Sequence, residues 1–397
     1  MTPQPGACGI KPRRAGAHYA LIQGLYWSLM AVYMVFGAAY LYDIGLSSLQ
    51  TGIVFAAAGA VSALIQPLLA RRADRAARPG MVRRIACLLM LPACGLLALL
   101  WLCPLPLALR VCLYAPVWML LMTVQFLLNA LAMEYPNAGL RLNYGVGRAL
   151  GSFGFALAAW LYGLFVARFD TAALLPVGFG LALLLLLAVS LWRSPPAAPR
   201  ESRDIAEAGF FRRYPRFLLL VCGTALCMTP YSMVCNFLVR IVESVGGGSV
   251  ELGTATMLAA LCEIPVMFLS LRLNRRCGSY ALMLVAAGML TLKMLLFTLA
   301  RSVSAVYAAE LVQLLGYPLL MCVSVYYVNA RMAARDRVRG QAMMALTQTV
   351  ASAAGALLGG LLIDGLGVRG LLLVSLGISA AGSLVMALGT ERVASPG

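Results

Sequence analysis

Four charged residues stand inside stretches that are otherwise apolar, and these are where chemistry is expected. Arg148 lies several residues into the apolar run that follows Asn143. Glu263 sits mid-run two residues before Pro265, whose ring frees a backbone carbonyl in the same turn. Lys293, the only lysine besides Lys11, is deep in the next run. Glu310 lies about two turns into the run after that, with Gln313 and Tyr317 on its face if the segment is helical. A guanidinium fork can hold two hydroxyls at once, which an ammonium cannot. A carboxylate taken out of water favours its neutral form, and a nearby cation favours the ionised one. A contact between Glu263 and Lys293, made in one conformation and broken in another, would couple proton release to a conformational step. A static pair holding two helices together is the simpler alternative.

The elements that must position these groups are membrane helices. Of 397 residues, 62% are hydrophobic and only 11% charged, with a mean hydropathy of +0.88, against about 25% charged in soluble domains. Apolar runs of about 20 residues, enough to cross a bilayer, recur roughly at 17–42, 48–70, 85–103, 106–133, 143–167, 172–192, 216–242, 249–271, 279–300, 303–330, 340–363 and 369–389. The expected fold is therefore an all-α membrane protein of twelve transmembrane helices.

The net charge of +17 reports topology. With the N-terminus in the cytoplasm, 24 of the 31 lysines and arginines fall on the cytoplasmic side, and Arg148 and Lys293 lie inside spans. That bias is the positive-inside rule, so the expected location is the inner membrane with both termini cytoplasmic, and no nucleic-acid partner. The polar stretch 193–216 reads as a cytoplasmic linker. It divides the chain into 1–192 and 217–397, each a six-helix bundle. Tyr33, Gly45 and Gly52 echo in Tyr231, Gly246 and Gly253, as halves of a repeat would. The chain has a single histidine, His18, and no HExxH, CxxC or GxSxG pattern, which leaves catalysis without placed groups. Ten of the cysteines lie in or beside spans as small apolar residues. No cofactor or metal is expected, and the chain is expected to be a monomer with a small-molecule substrate and the bilayer as its partners.

Helical spacing sorts the run after Asn143 into faces. Gly147, Gly151, Gly154 and Ala158 form a small-residue stripe on which another helix can pack closely. Arg148, Ser152 and Phe155 lie on the neighbouring stripe, turned toward a polar interior, unless the arginine snorkels to the headgroups. Tyr26, Tyr33 and Tyr40 recur every seven residues in the first span, lining a cavity or packing against aromatic neighbours. Asn129, with Gln125 one turn before it, is either a ligand contact or helix-to-helix glue. Asp364 and Arg369 read as a solvated loop pair.

Three stretches carry a family resemblance: Tyr40–Gly45 with Thr51–Ala57, Gln66-Pro67 leading to Asp74-Arg75, and Tyr144-Gly145 with Gly147-Arg148 and Gly151. Through them the chain resembles the major facilitator superfamily, and within it the lactose-permease-like branch of oligosaccharide–proton symporters. The resemblance implies two pseudo-symmetric six-helix bundles and proton-coupled sugar transport by alternating access. It implies that Arg148 binds the sugar and that Phe155 stands where the ring stacks, with Asn129, Tyr26, Tyr33, Tyr231 and Asn236 completing the candidate substrate set. Glu263, Lys293 and Glu310 become the proton-coupling candidates, while Asp74, Arg71 and Arg75 fall in the gating loop. Departures are visible: Gln313 and Gly316 replace the permease's histidine and glutamate of the tenth helix, and Ser232 and Cys235 its paired aspartates of the seventh. An efflux antiporter of the same fold, a non-transporting receptor and a membrane enzyme remain as alternatives.

Overall fold

The computed structural model describes residues 12–76, 80–138, 140, 142, 144–195 and 210–391. Among them the first half of the chain supplies α1 (Pro12–Val35), α2 (Gly37–Asp43), α3 (Ser48–Ala76), α4 (Met81–Leu102), α5 (Leu107–Asn137), α6 (Tyr144–Val166) and α7 (Leu174–Ser190). The second half supplies α8 (Phe210–Arg213), α9 (Pro215–Asn236), α10 (Leu238–Ser244), α11 (Ser249–Leu299), α12 (Val303–Leu311), α13 (Tyr317–Arg331) and α14 (Ala334–Gly389). Helices are the solution because a chain in hydrocarbon must satisfy its own backbone N–H and C=O groups.

Among the described residues eight helices are long and apolar enough to cross a membrane, nine with the bent pair α1 and α2. Dividing α11 and α14 and counting the shorter α7 brings them to the expected twelve. At 51 and 56 residues, α11 and α14 are each twice what a bilayer needs. Each breaks into two helices at a glycine with positive φ, Gly278 (76°) and Gly367 (70°), a conformation open to glycine without steric penalty. The first span is α1 and α2 together, bent by 43°. The seventh is α9 with α10, separated at Phe237, and the tenth is α12 and α13 separated by a 3-10 turn, Val312–Leu315.

The described residues cluster into two compact units that cut across the spans. One takes the described parts of 1–33, 61–158 and 170–202; the other those of 34–60, 159–169 and 203–397. In the first, α6 lies on α1 through the expected small stripe. A Cβ on Gly147 would meet the ring of Tyr19, one on Gly151 would stand 2.6 Å from Cδ1 of Trp27, and one on Gly154 would stand 3.3 Å from the Gly24 carbonyl.

In the second unit the internal echo acquires a structure. Gly45 and Gly246 both take positive φ, at 101° and 83°, in the turns that end α2 and α10. Seven residues later Gly52 lies on the Ala356 carbonyl and Gly253 on the Ala159 carbonyl, so neither position has room for a Cβ. Asp364 corrects the loop-pair expectation. Its two carboxylate oxygens accept from the backbone N–H groups of Ser48 (3.0 Å) and Leu49 (2.8 Å), capping the start of α3. The positive end of a helix dipole and two N–H groups without intrahelical partners outcompete a solvated arginine.

Candidate functional site

Two polar clusters stand out, one in each unit. The first is built on α1, α5 and α6 around Gln23, whose side chain is 1% exposed. Its Nε2 donates to Tyr19 Oη (2.6 Å) and to Asn129 Oδ1 (3.5 Å), and its Oε1 accepts from the Trp27 indole (3.0 Å). Asn129 Oδ1 also accepts from Tyr144 Oη at 3.4 Å. Arg148 then covers Trp27, its guanidinium carbon 4.2 Å from the ring centroid, and donates to Ser152 Oγ at 3.0 Å. The Trp27 ring meets Phe155 edge-on, with centroids 6.0 Å apart and planes at 85°.

The stripe of Arg148, Ser152 and Phe155 is thus one surface, and Asn129 joins it through Gln23. Among the described residues no salt bridge engages Arg148. Its partners among those residues are a π-face and a hydroxyl, which orient a guanidinium without neutralising it. Such a surface offers hydrogen-bond donors beside flat apolar rings, the pairing that a ring carrying several hydroxyls can use.

Tyr26 and Tyr33 lie beside this surface, Tyr26 meeting the Trp27 ring edge-on at a centroid distance of 5.4 Å. Both are fully buried; Tyr26 donates to the Leu121 carbonyl (3.2 Å), and Tyr33 packs on Tyr114 and Trp118 at centroid distances of 5.7 and 6.3 Å. Tyr26 and Tyr33 thus pack α1 against α5, while Tyr40, the third of the stripe, is buried in α2. Trp27 and Gln23, on the adjacent face, reach the Arg148 cluster instead. Sequence reasoning named neither, although Trp27 lies one residue, about 100° of helix, from a residue it did name.

The second cluster is built on α9, α11, α12 and the turn that follows. Lys293 Nζ, 1% exposed, donates to Glu310 Oε2 at 2.7 Å and to Gln313 Oε1. The amide nitrogen of Gln313 donates to Glu263 Oε1 and to Tyr231 Oη, both at 3.0 Å. The three ionisable residues expected to work together are in one network. The pairing is not the expected one: Lys293 is salt-bridged to Glu310, and Glu263 reaches it through Gln313. Lys293 and Glu310 are joined by the short turn at Ala300–Ser302, which sets their spans side by side.

Tyr231 stacks on Tyr317 with centroids 4.7 Å apart and planes within 6°, and Gln348 donates to Tyr317 Oη at 2.8 Å. Asn236, five residues beyond Tyr231, donates to Ser232 Oγ at 3.1 Å. The side chains of Arg71, Asp74 and Arg75 lie outside the described residues.

The model of the MFS_1 like family matches residues 19–373. The maltose permease of Geobacillus stearothermophilus is 31% identical over 228 residues, covering 56% of this chain and 57% of the permease. The raffinose permease of Escherichia coli is 25% identical over 337 residues, 78% of this chain and 77% of that one. The crystal structure of the nucleoside transporter NupG superposes with a TM-score of 0.80 at 14% identity, covering 95% of this chain and all of that one. A bacterial homologue of the iron transporter ferroportin, in its inward-facing state, reaches 0.75 at 16% identity over 96% of this chain. At such identities the structures establish the shared fold.

Proposed function

Because the chain belongs to the MFS_1 like family of membrane transporters, we propose that it is a proton-coupled symporter of a small sugar-like solute. It works by alternating access in the inner membrane, with both termini cytoplasmic. The observation that carries the reading is the second cluster. One buried ammonium, Lys293, stands with two carboxylates, bonded directly to Glu310 and linked to Glu263 through Gln313. With both acids ionised the cluster holds one negative charge too many for a site out of water, and a single proton neutralises it. Proton uptake there discharges a region that must move as access changes, which ties translocation to the proton gradient.

Support for the solute class comes from the first cluster and from the sugar permeases among the relatives. Arg148 supplies two parallel donors to vicinal hydroxyls, Trp27 and Phe155 supply apolar faces, and Gln23 and Asn129 stiffen the wall behind them. Embedded charge at both clusters fits a polar solute better than the amphipathic load of an efflux antiporter.

Reconstituted protein tests the reading with maltose and raffinose as probes. Uptake against a gradient is expected when an inward proton gradient is imposed and absent with a sodium gradient alone. In Glu310→Gln, exchange of internal for external sugar persists while accumulation is lost. Sodium-driven uptake, or accumulation by both Glu310→Gln and Glu263→Gln at the unmodified level, would remove the proton from the mechanism.

A further inference from the structure

The second cluster contains a residue that the charge count leaves aside. Gln313 is 3% exposed and belongs to the 3-10 turn that interrupts the tenth span, just before Gly316, whose φ and ψ are −92° and −106°. A 3-10 stretch inside a spanning helix marks a place where the backbone can rearrange. All the groups of the Gln313 amide are occupied there: Oε1 by Lys293, and the two amide hydrogens by Glu263 and Tyr231.

We infer that Gln313 is the positioning residue that links the two acids, its amide orientation carrying the protonation state of Glu263 to the Lys293–Glu310 pair. The inference rests on the proton-coupling reading above. The amide has one acceptable orientation while Lys293 is charged and Glu263 ionised. A flip would aim NH2 at an ammonium and a carbonyl oxygen at a carboxylate, turning two attractive contacts into two repulsive ones. Protonation of Glu263 removes the charge that makes its hydrogen bond roughly twice as strong as a neutral one. The amide then keeps its full-strength donor contact only to Tyr231, its Oε1 can leave Lys293 to the Glu310 carboxylate alone, and the turn at Val312–Leu315 loses one of its tethers.

The linkage runs both ways, as any equilibrium coupling must: opening the Lys293–Glu310 pair withdraws the ammonium that orients Gln313 toward Glu263. Because an amide does not titrate, the relay connects two ionisable acids without adding a third. The other titratable groups facing the cluster are Tyr231 and Cys235 from α9, Cys262 from α11, and Tyr317 and Cys322 from α13. Thiols and phenols ordinarily ionise only above about pH 8, so the test is read on the two acids.

The test is an infrared pH titration of the full-length protein, reading the carboxylic-acid carbonyl band that disappears in Glu263→Gln. No substrate is needed. Replacing Glu310 with Gln is expected to move the Glu263 midpoint by ~1 pH unit, the scale on which two sites count as coupled. In a Gln313→Leu background the same replacement should move it less than half as far. Melting temperatures establish that each variant is folded, and Gln313→Met takes the place of Gln313→Leu if the latter is not. An equal shift with and without Gln313 would overturn the relay and leave only through-space coupling between the acids. If no band titrates with Glu263 between pH 4 and 9, ranges on the order of those seen for perturbed carboxyls, the proton-coupling reading itself fails and takes the relay with it.

Discussion

Each unit places a buried glutamine at the centre of a polar cluster, and the two glutamines are surrounded differently. Among the described residues Gln23 bonds to neutral partners, Tyr19, Trp27 and Asn129, and the cation of its cluster, Arg148, lies over a ring. Gln313 bonds to an ammonium and a carboxylate, and the cation beside it is already salt-bridged. The same side chain therefore stiffens a wall in one unit and connects charges in the other. A cation among neutral groups keeps its hydrogen-bonding capacity for a ligand. A cation among carboxylates gives that capacity to the protein and leaves protons as the species that exchange.

If that contrast holds, removing each cation has a different consequence. Lys293→Met leaves the Glu310 carboxylate buried without a counter-charge, and the expected loss is about 3–5 kcal/mol, read as a lowered melting temperature in detergent. The double variant Lys293→Met/Glu310→Met should recover most of it, since replacing a whole buried pair by apolar side chains is often neutral or better. A double variant as unstable as the single one would mean that Lys293 is anchored by something other than charge.

Arg148→Lys should behave in the opposite way. With no carboxylate to abandon, stability is expected to change by about 0.5 kcal/mol or less. Binding of maltose or raffinose should weaken about tenfold or more, the scale of losing a hydrogen bond to a charged group. Isothermal titration and thermal melts on the same preparation separate the two. Normal affinity in that variant would return Arg148 to a headgroup-anchoring role and remove the contrast between the clusters.

The comparison also shows which features sequence can carry. The twelve spans were legible because each hydrophobic run has the length of a bilayer crossing, even where two spans join at Gly278 or Gly367 into one long helix. The small stripe was legible because its period matches the helix, and Gly147, Gly151 and Gly154 do face α1. The membership of the charged cluster was legible because ionisable residues in apolar runs have few places to go. Its pairing was not, because choosing between Glu263 and Glu310 as the partner of Lys293 depends on how neighbouring spans lie, and Gln313 gave no charge signal at all. Asp364 was misread for a related reason: its partners, Ser48 and Leu49, are backbone N–H groups more than 300 residues away.

The packing of α1 on α6 gives an intermediate test. Gly151→Val would push a side chain into Trp27, where even a Cβ would lie 2.6 Å from Cδ1. Overpacking of this kind costs about 1–3 kcal/mol, and here it should also displace the ring on which Arg148 rests. Stability and sugar affinity are expected to fall together, whereas Arg148→Lys lowers affinity alone. A stable Gly151→Val with unchanged affinity would show that Trp27 has room to move without disturbing the surface.

The smallest effect discriminates most finely, because it turns on one step of helix rotation. Tyr26 and Trp27 are adjacent in sequence and about 100° apart around α1. Tyr26 points into the bundle, 0% exposed, with its hydroxyl on the Leu121 carbonyl, while Trp27 bonds to Gln23 and carries Arg148 and Phe155. Tyr26→Phe removes one buried hydrogen bond and nothing else, so the protein should lose about 1 kcal/mol of stability with sugar affinity intact. Trp27→Phe keeps an aromatic face but deletes the indole donor to Gln23, so affinity should fall by a few-fold, in line with about 0.5–1.5 kcal/mol for one such bond, while Tyr26→Phe leaves it alone. If instead Tyr26→Phe weakens binding and Trp27→Phe does not, the binding face of α1 is the tyrosine stripe after all, and the surface around Arg148 is packing.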